Sequence, residues 1–355
     1  TRYSSSVLMD ATDNARLLDL VALDANGNVV RTLSDNGVWR YGYEWNNASG
    51  EQKTQAFYVS DEWQVNDRLR IDSGLRWEKA SSSGWNEVRR SVDGGTLATS
   101  QMLAGSGLYV NHDLESDDLG WSIGANWQFN DGMGVFGRWT SAFRLPSLGN
   151  YITRNDNCDA TSAATVAACA SANGKAADTQ TMDLAEVGFK FANPLFSAYA
   201  TAFYTKYDNV GFSNYRFNPD TGVSTREAGY ASTRTFGLEL ETAWYPADWF
   251  DLRVNATWQD AQYRDLRYSE PVNGAPVLRD FVGNQLIRVP ELGARVVAGI
   301  NLLDQRLRLQ AAAEHQGERY VDTANSVRLP SYQLLNLSAR YELSERVSMY
   351  GYVDN

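Results

Sequence analysis

The chain is 355 residues long, enough for two ordinary domains or one large all-β domain. It carries 43 Asp plus Glu against 32 Lys plus Arg, a formal net charge of -11, which argues against a nucleic-acid partner because phosphate binding needs a basic surface. No run approaches the roughly 18 to 20 apolar residues of a membrane helix, yet a membrane barrel stays open because alternation halves the apolar content of each strand.

Taken in chain order, Asp24-Ala25-Asn26-Gly27-Asn28 lies between two short apolar runs and predicts a small hairpin with an Asn-Gly turn, outside any membrane. Trp39, Tyr41, Tyr43 and Trp45 then alternate on one face of a segment expected outside the bilayer. A strand is expected near residues 55–64. In residues 68–78, Leu69, Ile71, Ser73, Leu75 and Trp77 form one face, and Arg70, Asp72, Gly74, Arg76 and Glu78 the other. Residues 121–129 divide in the same way, with Trp121, Ile123, Ala125, Trp127 and Phe129 on the apolar side. The division recurs at 135–144, 185–191, 199–207, 238–245, 250–259, 294–302, 307–315 and 335–343, and a last strand is expected near 347–355. A period of two sustained this long is a strand with one apolar and one polar face. The total is about twelve strands, each near the 9 to 11 residues that a tilted strand needs to cross hydrocarbon.

Six very short polar turns punctuate the series, among them Asn130-Asp131-Gly132, Ala192-Asn193-Pro194 and Leu303-Asp304-Gln305. Between the hairpins lie much longer polar stretches. Aromatic residues mark the ends of the apolar faces, as at Trp63, Trp77, Trp121, Phe129, Trp244, Phe250, Trp258 and Tyr341. The polar faces carry full charges. Lopsided loops, aromatic girdles and a charged inner face together predict an all-β, transmembrane antiparallel β-barrel with short periplasmic turns and long extracellular loops. Only five of the basic residues are Lys (Lys53, Lys79, Lys175, Lys190 and Lys206). Arg, with its planar fork of donors, suits fixed carboxylate pairs in a crowded polar interior; a GC-rich genome would give the same bias.

Cys158 and Cys169 are the two cysteines and share one loop rich in Asn, Ala and Thr, spanning 155–178. A local pair suggests a loop-closing disulfide in an oxidising compartment, the alternative being two free thiols. His112 and His315 show no metal spacing, and no nucleophile elbow or phosphate-cradling glycine pattern follows a strand. No catalytic residue, metal site or cofactor is expected, and the chain is not read as an enzyme. Glu239 and Glu241, two apart on one strand face, read as an acid pair or as a lumen-lining carboxylate ladder balanced by Arg, the second being the simpler.

Several segments resemble the C-terminal half of the barrel of TonB-dependent outer-membrane receptors. They are Phe57 to Trp63 with Leu69 to Glu78; Ser141-Ala142-Phe143-Arg144-Leu145-Pro146-Ser147-Leu148; Thr235-Phe236-Gly237-Leu238-Glu239-Leu240-Glu241; Arg288-Val289-Pro290; Gly317-Glu318-Arg319-Tyr320-Val321-Asp322 with Asn325 and Leu329-Pro330-Ser331-Tyr332; and Val353-Asp354-Asn355. Each is weak alone; six in the family's order cover nearly all the chain. The resemblance implies about twelve strands of a 22-stranded barrel. Nothing here resembles the family's N-terminal plug or TonB box. The expectation is a fragment, residues 1–355 of barrel without plug, early strands or last strand, with open edges near 55–64 and 347–355.

The resemblance also implies active uptake of a scarce solute across the outer membrane of a Gram-negative bacterium. The TonB–ExbB–ExbD complex would supply the power through the plug. A ferric siderophore is the first expectation for cargo, and a carbohydrate or other organic nutrient the second. A passive porin-like channel or a surface adhesin is the reading from another class. Ligand contacts are expected from Trp39, Tyr41, Tyr43, Trp45, Trp85, Arg144, Tyr151 and Tyr215, since rigid aromatics give contact area at low entropic cost. Packing of the loops on one another would use the same aromatics, Tyr109, Phe217 and Tyr230 included. Arg144 with Pro146 reads equally as a structural corner. Outer-membrane lipid and lipopolysaccharide are expected neighbours, and Asp117, Asp118, Asp156, Asp159, Asp220 and Asp265 read either as divalent-ion ligands bridging lipopolysaccharide or as turn residues.

Overall fold

A computed structural model describes residues 2–7, 21–32, 46–93, 101–148, 164, 178–218, 223–272 and 275–355. Its strands in chain order are β1 (Arg2–Val7), β2 (Val21–Leu23), β3 (Val29–Thr32), β4 (Asn46–Asn66), β5 (Leu69–Asp93), β6 (Gln101–Asn130), β7 (Met133–Arg144), β8 (Gln180–Ala192), β9 (Phe196–Asn218) and β10 (Val223–Ala247). There follow β11 (Phe250–Asp265), β12 (Arg267–Val272), β13 (Ala275–Asp280), β14 (Leu292–Leu302), β15 (Leu307–Gln316), β16 (Arg319–Tyr320), β17 (Arg328–Leu329), β18 (Tyr332–Ser344) and β19 (Val347–Val353). Thirteen of them form one sheet in the order β1-β4-β5-β6-β7-β8-β9-β10-β11-β14-β15-β18-β19. Every neighbouring pair is antiparallel.

The twelve expected strands are β4 to β11, β14, β15, β18 and β19; β1 is an addition, pairing only with residues 46–51. Among the described residues β19 pairs with β18 alone, and no strand covers the outer edge of residues 52–66. The sheet is therefore open along the two edges expected from the sequence.

The six short turns are where the sequence places them, and local chemistry builds them. The Asn66 side-chain carbonyl accepts from the N–H groups of Arg68 and Leu69 at 2.9 and 3.0 Å. Asn130 accepts from Gly132, and Asn193 from Leu195 and Phe196, at 2.8–2.9 Å. These are Asx turns, in which the side chain replaces a backbone acceptor. At the β14–β15 turn Leu303, Asp304 and Gln305 all adopt left-handed φ values of 53°, 51° and 68°. β2–β3 forms the predicted hairpin, a separate two-stranded sheet with Gly27 at φ 84°. There Asp24 Oδ1 accepts from the N–H groups of Asn26 and Asn28.

The strands are longer than the sequence reading allows. β5, β6, β9 and β10 run for 25, 30, 23 and 25 residues. Much of what reads as loop continues the ladder beyond the apolar band. Out there the outer face carries Lys79, Ser81 and Glu115 and the buried inner face carries small or polar residues such as Ala80, Ser82, Asn86 and His112, so the apolar/polar alternation that announces a strand fades although the backbone pairing persists. Asp117 and Asp118 accordingly sit within β6, and Asp265 ends β11, rather than occupying turns.

The cross-strand register fixes the two faces. On one face Trp127 opposes Leu69 and Val135, Leu240 opposes Ala200 and Ala256, and Ala311 opposes Leu337 and Ala298. No protein core covers this face: Trp63 is 58% exposed, Ile123 51%, Leu238 47% and Leu335 51%. The other face is polar, and the chain shows that it is concave. After β7, Leu145–Leu148 skips two strands to reach β4. Gln52 Nε2 donates to the Pro146 carbonyl at 3.0 Å, the Leu148 N–H donates to Gln52 Oε1 at 3.3 Å, and Leu148 is buried with Ala48. So short a connection from β7 to β4 crosses the inside of a curved wall.

Candidate functional site: the inner wall and its loop end

The outer face supplies the frame. Aromatic residues recur eight positions apart along it, as Trp121 and Phe129, Phe236 and Trp244, and Phe250 and Trp258. Eight steps of about 3.3 Å make about 26 Å along a strand, or about 20 Å along the membrane normal at a tilt of about 40°. With the rings added, that matches the apolar band of a bilayer-spanning barrel, ~25 Å. Neighbouring rings touch at both levels. Trp127 meets Phe129 at 4.8 Å and Phe191 meets Phe196 at 6.0 Å near the turns; Phe57 meets Trp77 and Phe236 meets Trp258, both at 6.0 Å, on the far side. Directly beyond Trp77 the outer face turns polar. The indole N–H of Trp77 donates to Asp117, and Lys79 pairs with Glu115 at 2.9 Å.

Ion pairs line the inner wall, and two of them reach across an intervening strand. Asp72 of β5 meets Arg138 of β7 at 3.2 Å, and the residue between them on β6 is Gly124. A Cβ at Gly124 would lie 2.9 Å from the Asp72 carboxylate, so the carboxylate would have to move aside. The same device recurs from β11 to β15. Asp251 meets Arg308 at 2.9 Å over Gly299 of β14, where a Cβ would strike both partners. Asp251 is 5% exposed; Arg308 also donates to Asn301 at 3.0 Å, and Arg253 approaches Asp251 to 3.6 Å. These groups line a recess of about 480 Å³ at the turn end, together with Pro194, Leu195 and Phe250. Further round, Arg295 pairs with Glu314 at 3.3 Å, and Arg340 pairs with Glu342 at 2.8 Å while lying over the Tyr350 ring.

Glu239 and Glu241 depart from this pattern. They stand on the inner face of β10, exposed, and neither pairs with an Arg or Lys among the described residues. A carboxylate ladder is present, but it is not balanced by Arg as the simpler reading expected.

Of the sequence-predicted ligand residues, Trp85, Arg144 and Tyr215 fall among the described residues. Trp39, Tyr41, Tyr43, Trp45, Tyr151, Cys158 and Cys169, with Asp156, Asp159 and Asp220, lie outside the described residues. Trp85 lies in the extension of β5 and stacks edge-on against Tyr109 of β6 at 5.2 Å and 82°. By register both are on the outer side, continuing the faces of Trp77 and Leu119. Arg144 is exposed at the end of β7, opposite Gln180. Beside it, Pro146 and Leu148 make the corner that returns to β4. Tyr215 lies in β9 opposite Arg226 of β10. The Tyr230 hydroxyl accepts from the Asp178 N–H at 3.2 Å.

One pair of motifs finds its reason in the loops. Asn325, at φ 55°, accepts from the Gln285 N–H at 2.7 Å and donates to the Gln285 carbonyl at 3.0 Å. Asn284 donates to the Thr323 carbonyl at 2.8 Å, and the Arg288 N–H to the Tyr320 carbonyl at 2.7 Å. The segment that ends in Arg288-Val289-Pro290 is thus clasped to the β16–β17 hairpin. That hairpin is itself held by Asp322, which accepts from the N–H groups of Ser326 and Val327 at 3.1 and 2.8 Å. These hydrogen bonds draw the Asp322 carboxyl below its ordinary value, the Val327 N–H contributing most. His112 is a buried titratable group on the inner face of the β6 extension. Its Nε2 is 2.7 Å from Asn86 Oδ1, and burial holds its pKa below the ordinary imidazole value. Sequence alone gave no signal for it beyond a lone histidine.

An antiparallel sheet with an apolar, girdled convex face and a charged concave face defines the wall of a membrane-spanning β-barrel. The family described as TonB-dependent receptor-like β-barrel matches residues 5–355, and the chain belongs to it. Among solved structures, the ferric yersiniabactin uptake receptor FyuA from Yersinia pestis is similar with a TM-score of 0.60 and 17% identity, over 87% of this chain and 41% of that one. The siderophore receptor PiuA from Acinetobacter baumannii is similar with a TM-score of 0.60 and 18% identity, over 94% and 45%. The copper transporter OprC is similar with a TM-score of 0.61 and 13% identity, over 87% and 42%. The chain therefore spans less than half the length of these structures, and at such identities the likeness is one of fold. No curated protein matches the sequence.

Proposed function

We propose that the thirteen strands are part of the wall of a larger, closed barrel in the outer membrane of a Gram-negative bacterium. In this reading the short turns face the periplasm and the long strand extensions face outward. The whole protein takes up a ferric siderophore, powered by TonB–ExbB–ExbD through a plug domain held in the lumen. The observation that carries the reading is the inner wall. It is a polar, charged surface with two open sheet edges, which lipid would not tolerate and further strands would close. Glu239 and Glu241 support a folded occupant, because exposed carboxylates without partners suit cationic side chains of a domain seated against β10. Of the three similar structures named above, one is a siderophore receptor by name and another a ferric yersiniabactin uptake receptor, which favours an iron-carrying cargo over carbohydrate.

Ligand contacts are proposed from the loop-end aromatics Trp39, Tyr41, Tyr43, Trp45, Tyr151 and Tyr215 with Arg144, and a Cys158–Cys169 disulfide would pin the loop between them. Trp85 has weaker support, since its ring stacks on Tyr109 on the outer side. The test is uptake of ⁵⁵Fe-loaded siderophores by iron-starved cells carrying the full-length gene. Uptake should vanish on deletion of the gene and on deletion of tonB. Uptake that survives loss of tonB would point to a passive channel, and sugar-dependent growth without iron uptake to a carbohydrate cargo.

A further inference from the structure

The outward face breaks its own rule at one residue. Asp61 stands on the side of β4 that carries Phe57, Val59 and Trp63, four residues toward the turn from Phe57 and two short of Trp63. It therefore lies inside the apolar band, and it is exposed there. Among the described residues no other outward position between the girdle aromatics carries a carboxylate, an ammonium or a guanidinium. Ionisable side chains persist in hydrocarbon where another group pairs with them.

The described chain offers Asp61 no such group. On its β5 side it faces Ser73, and beyond Ser73 lies Ile123 of β6. The space between them is a hollow of about 340 Å³ with Val59, Leu75, Trp121 and Ile123 among its walls. Lys53, the one cation of β4, is eight residues away and pairs with Glu51 at 3.0 Å. Arg70 and Arg76 of β5 belong to the other face, where they meet Glu62 and Glu78. On its far side Asp61 borders the open edge of residues 52–66. β1 shows what approaches that edge. It pairs antiparallel with β4, from Val7 opposite Asn46 to Arg2 opposite Glu51, so the chain that leads into Arg2 would climb along residues 52–66. Carried on without a slip, this register sets the residue nine places before Thr1 opposite Asp61, ten rungs below the Arg2–Glu51 pair. The positions seven and eleven places before Thr1 share its face and are the diagonal neighbours, within reach of a long side chain.

We infer that a lysine, arginine or histidine at one of these three positions pairs with Asp61 inside the membrane and fixes the register in which the preceding strand joins β4. A slip of one residue would turn the basic group to the lumen and leave the carboxylate alone in lipid. The connection from β1 to β4 runs over residues 8–45, so no tight turn sets that register, and fixing register is the best-attested use of an ionic pair in an apolar setting. The inference rests on the larger barrel proposed above. The test is urea-induced unfolding of the full-length receptor in lipid, with variants chosen so that the sign of the effect decides. At the wild-type midpoint, Asp61→Leu should lower the ratio of folded to unfolded receptor about tenfold, because it strands the basic partner; leucine at both positions should restore the ratio. Phe57→Cys should form a disulfide with a cysteine placed five residues before Thr1, the rung that the same register predicts. A folded-to-unfolded ratio that rises in Asp61→Leu would overturn the inference, since a lone carboxylate in lipid is relieved by leucine. So would the absence of any basic residue at the three positions, or a disulfide that forms only on a neighbouring rung. Fractionation of the receptor away from the outer membrane, or no disulfide from Phe57→Cys to any residue before Thr1, would instead sink the larger barrel itself, so the two failures are separable.

Discussion

The two faces of β10 follow different rules, and the contrast organises the molecule. Leu238, Leu240 and Trp244 continue an apolar surface that runs from β4 to β19, interrupted at the β4 edge by Asp61 opposite Ser73. Glu239 and Glu241, interleaved with them, belong to an inner surface that changes character from sector to sector. From β5 to β7 and from β11 to β15 inner carboxylates, Asp72 and Asp251, are matched by arginines across a glycine. At β10 they are not. The outer face answers to one solvent, hydrocarbon, and uniformity suffices. The inner face answers to whatever fills the lumen, and its unmatched charges mark where something else must contribute.

Substitutions sharpen the contrast in order of size, each measured as the midpoint of urea-induced unfolding of the full-length receptor in lipid. Leu240 lies midway between Phe236 and Trp244, so Leu240→Arg should cost about 2 to 4 kcal/mol, the penalty for arginine at the bilayer midplane. Asn255→Arg, on the inner face of the adjacent strand, should cost a small fraction of that. Asp251→Ala comes next: it strands Arg308 and Arg253 around a nearly buried site and should cost about 2 to 3 kcal/mol, since Arg308 keeps partial access to water. Glu239→Gln with Glu241→Gln should change the stability of the wall by no more than ~0.5 kcal/mol, as exposed substitutions do. Its effect should fall instead on retention of the plug, read by protease sensitivity of that domain. A loss as large as that of Asp251→Ala would show that the two sectors do not differ.

Much of this was legible in the sequence because a two-residue period forces the two faces apart. The twelve long strands, the six short polar turns and the girdle aromatics all follow from local pattern. The β5 and β6 extensions were not legible, because above Trp77 and Leu119 the buried inner positions are small or polar, as at Ser82, Asn86 and His112, and the pattern loses its contrast. For that reason Trp85 and Tyr109, read as loop aromatics, turn out to be strand residues. Nor did the sequence reveal that Asp72 and Asp251 reach their arginines over Gly124 and Gly299. That depends on which residues register brings side by side two strands away. Asn325 had a motif but no reason until the Gln285 backbone appeared opposite it.

The smallest expected effect belongs to this extension. His112 is held neutral by burial, its folded pKa below the ordinary 6.5. The unfolded chain therefore takes up the proton first as pH falls. Stability of the β5–β6 extension should be full above pH 6.5, decline below it, and stop declining once pH passes the depressed folded value. Hydrogen exchange at the amides around Asn86 and His112 measures this, and His112→Gln should flatten the profile.

The account stands or falls on which face meets lipid, and spin labels at adjacent positions of β11 measure that directly. In lipid-reconstituted full-length receptor, a label at Val254→Cys should relax with dissolved oxygen and ignore a water-soluble nickel chelate. A label at Asn255→Cys should do the reverse, and the alternation should continue through Ala256 and Thr257. If Asn255 reported the oxygen-rich phase and Val254 the aqueous one, or if both reported water, the convex apolar face would not be facing a membrane.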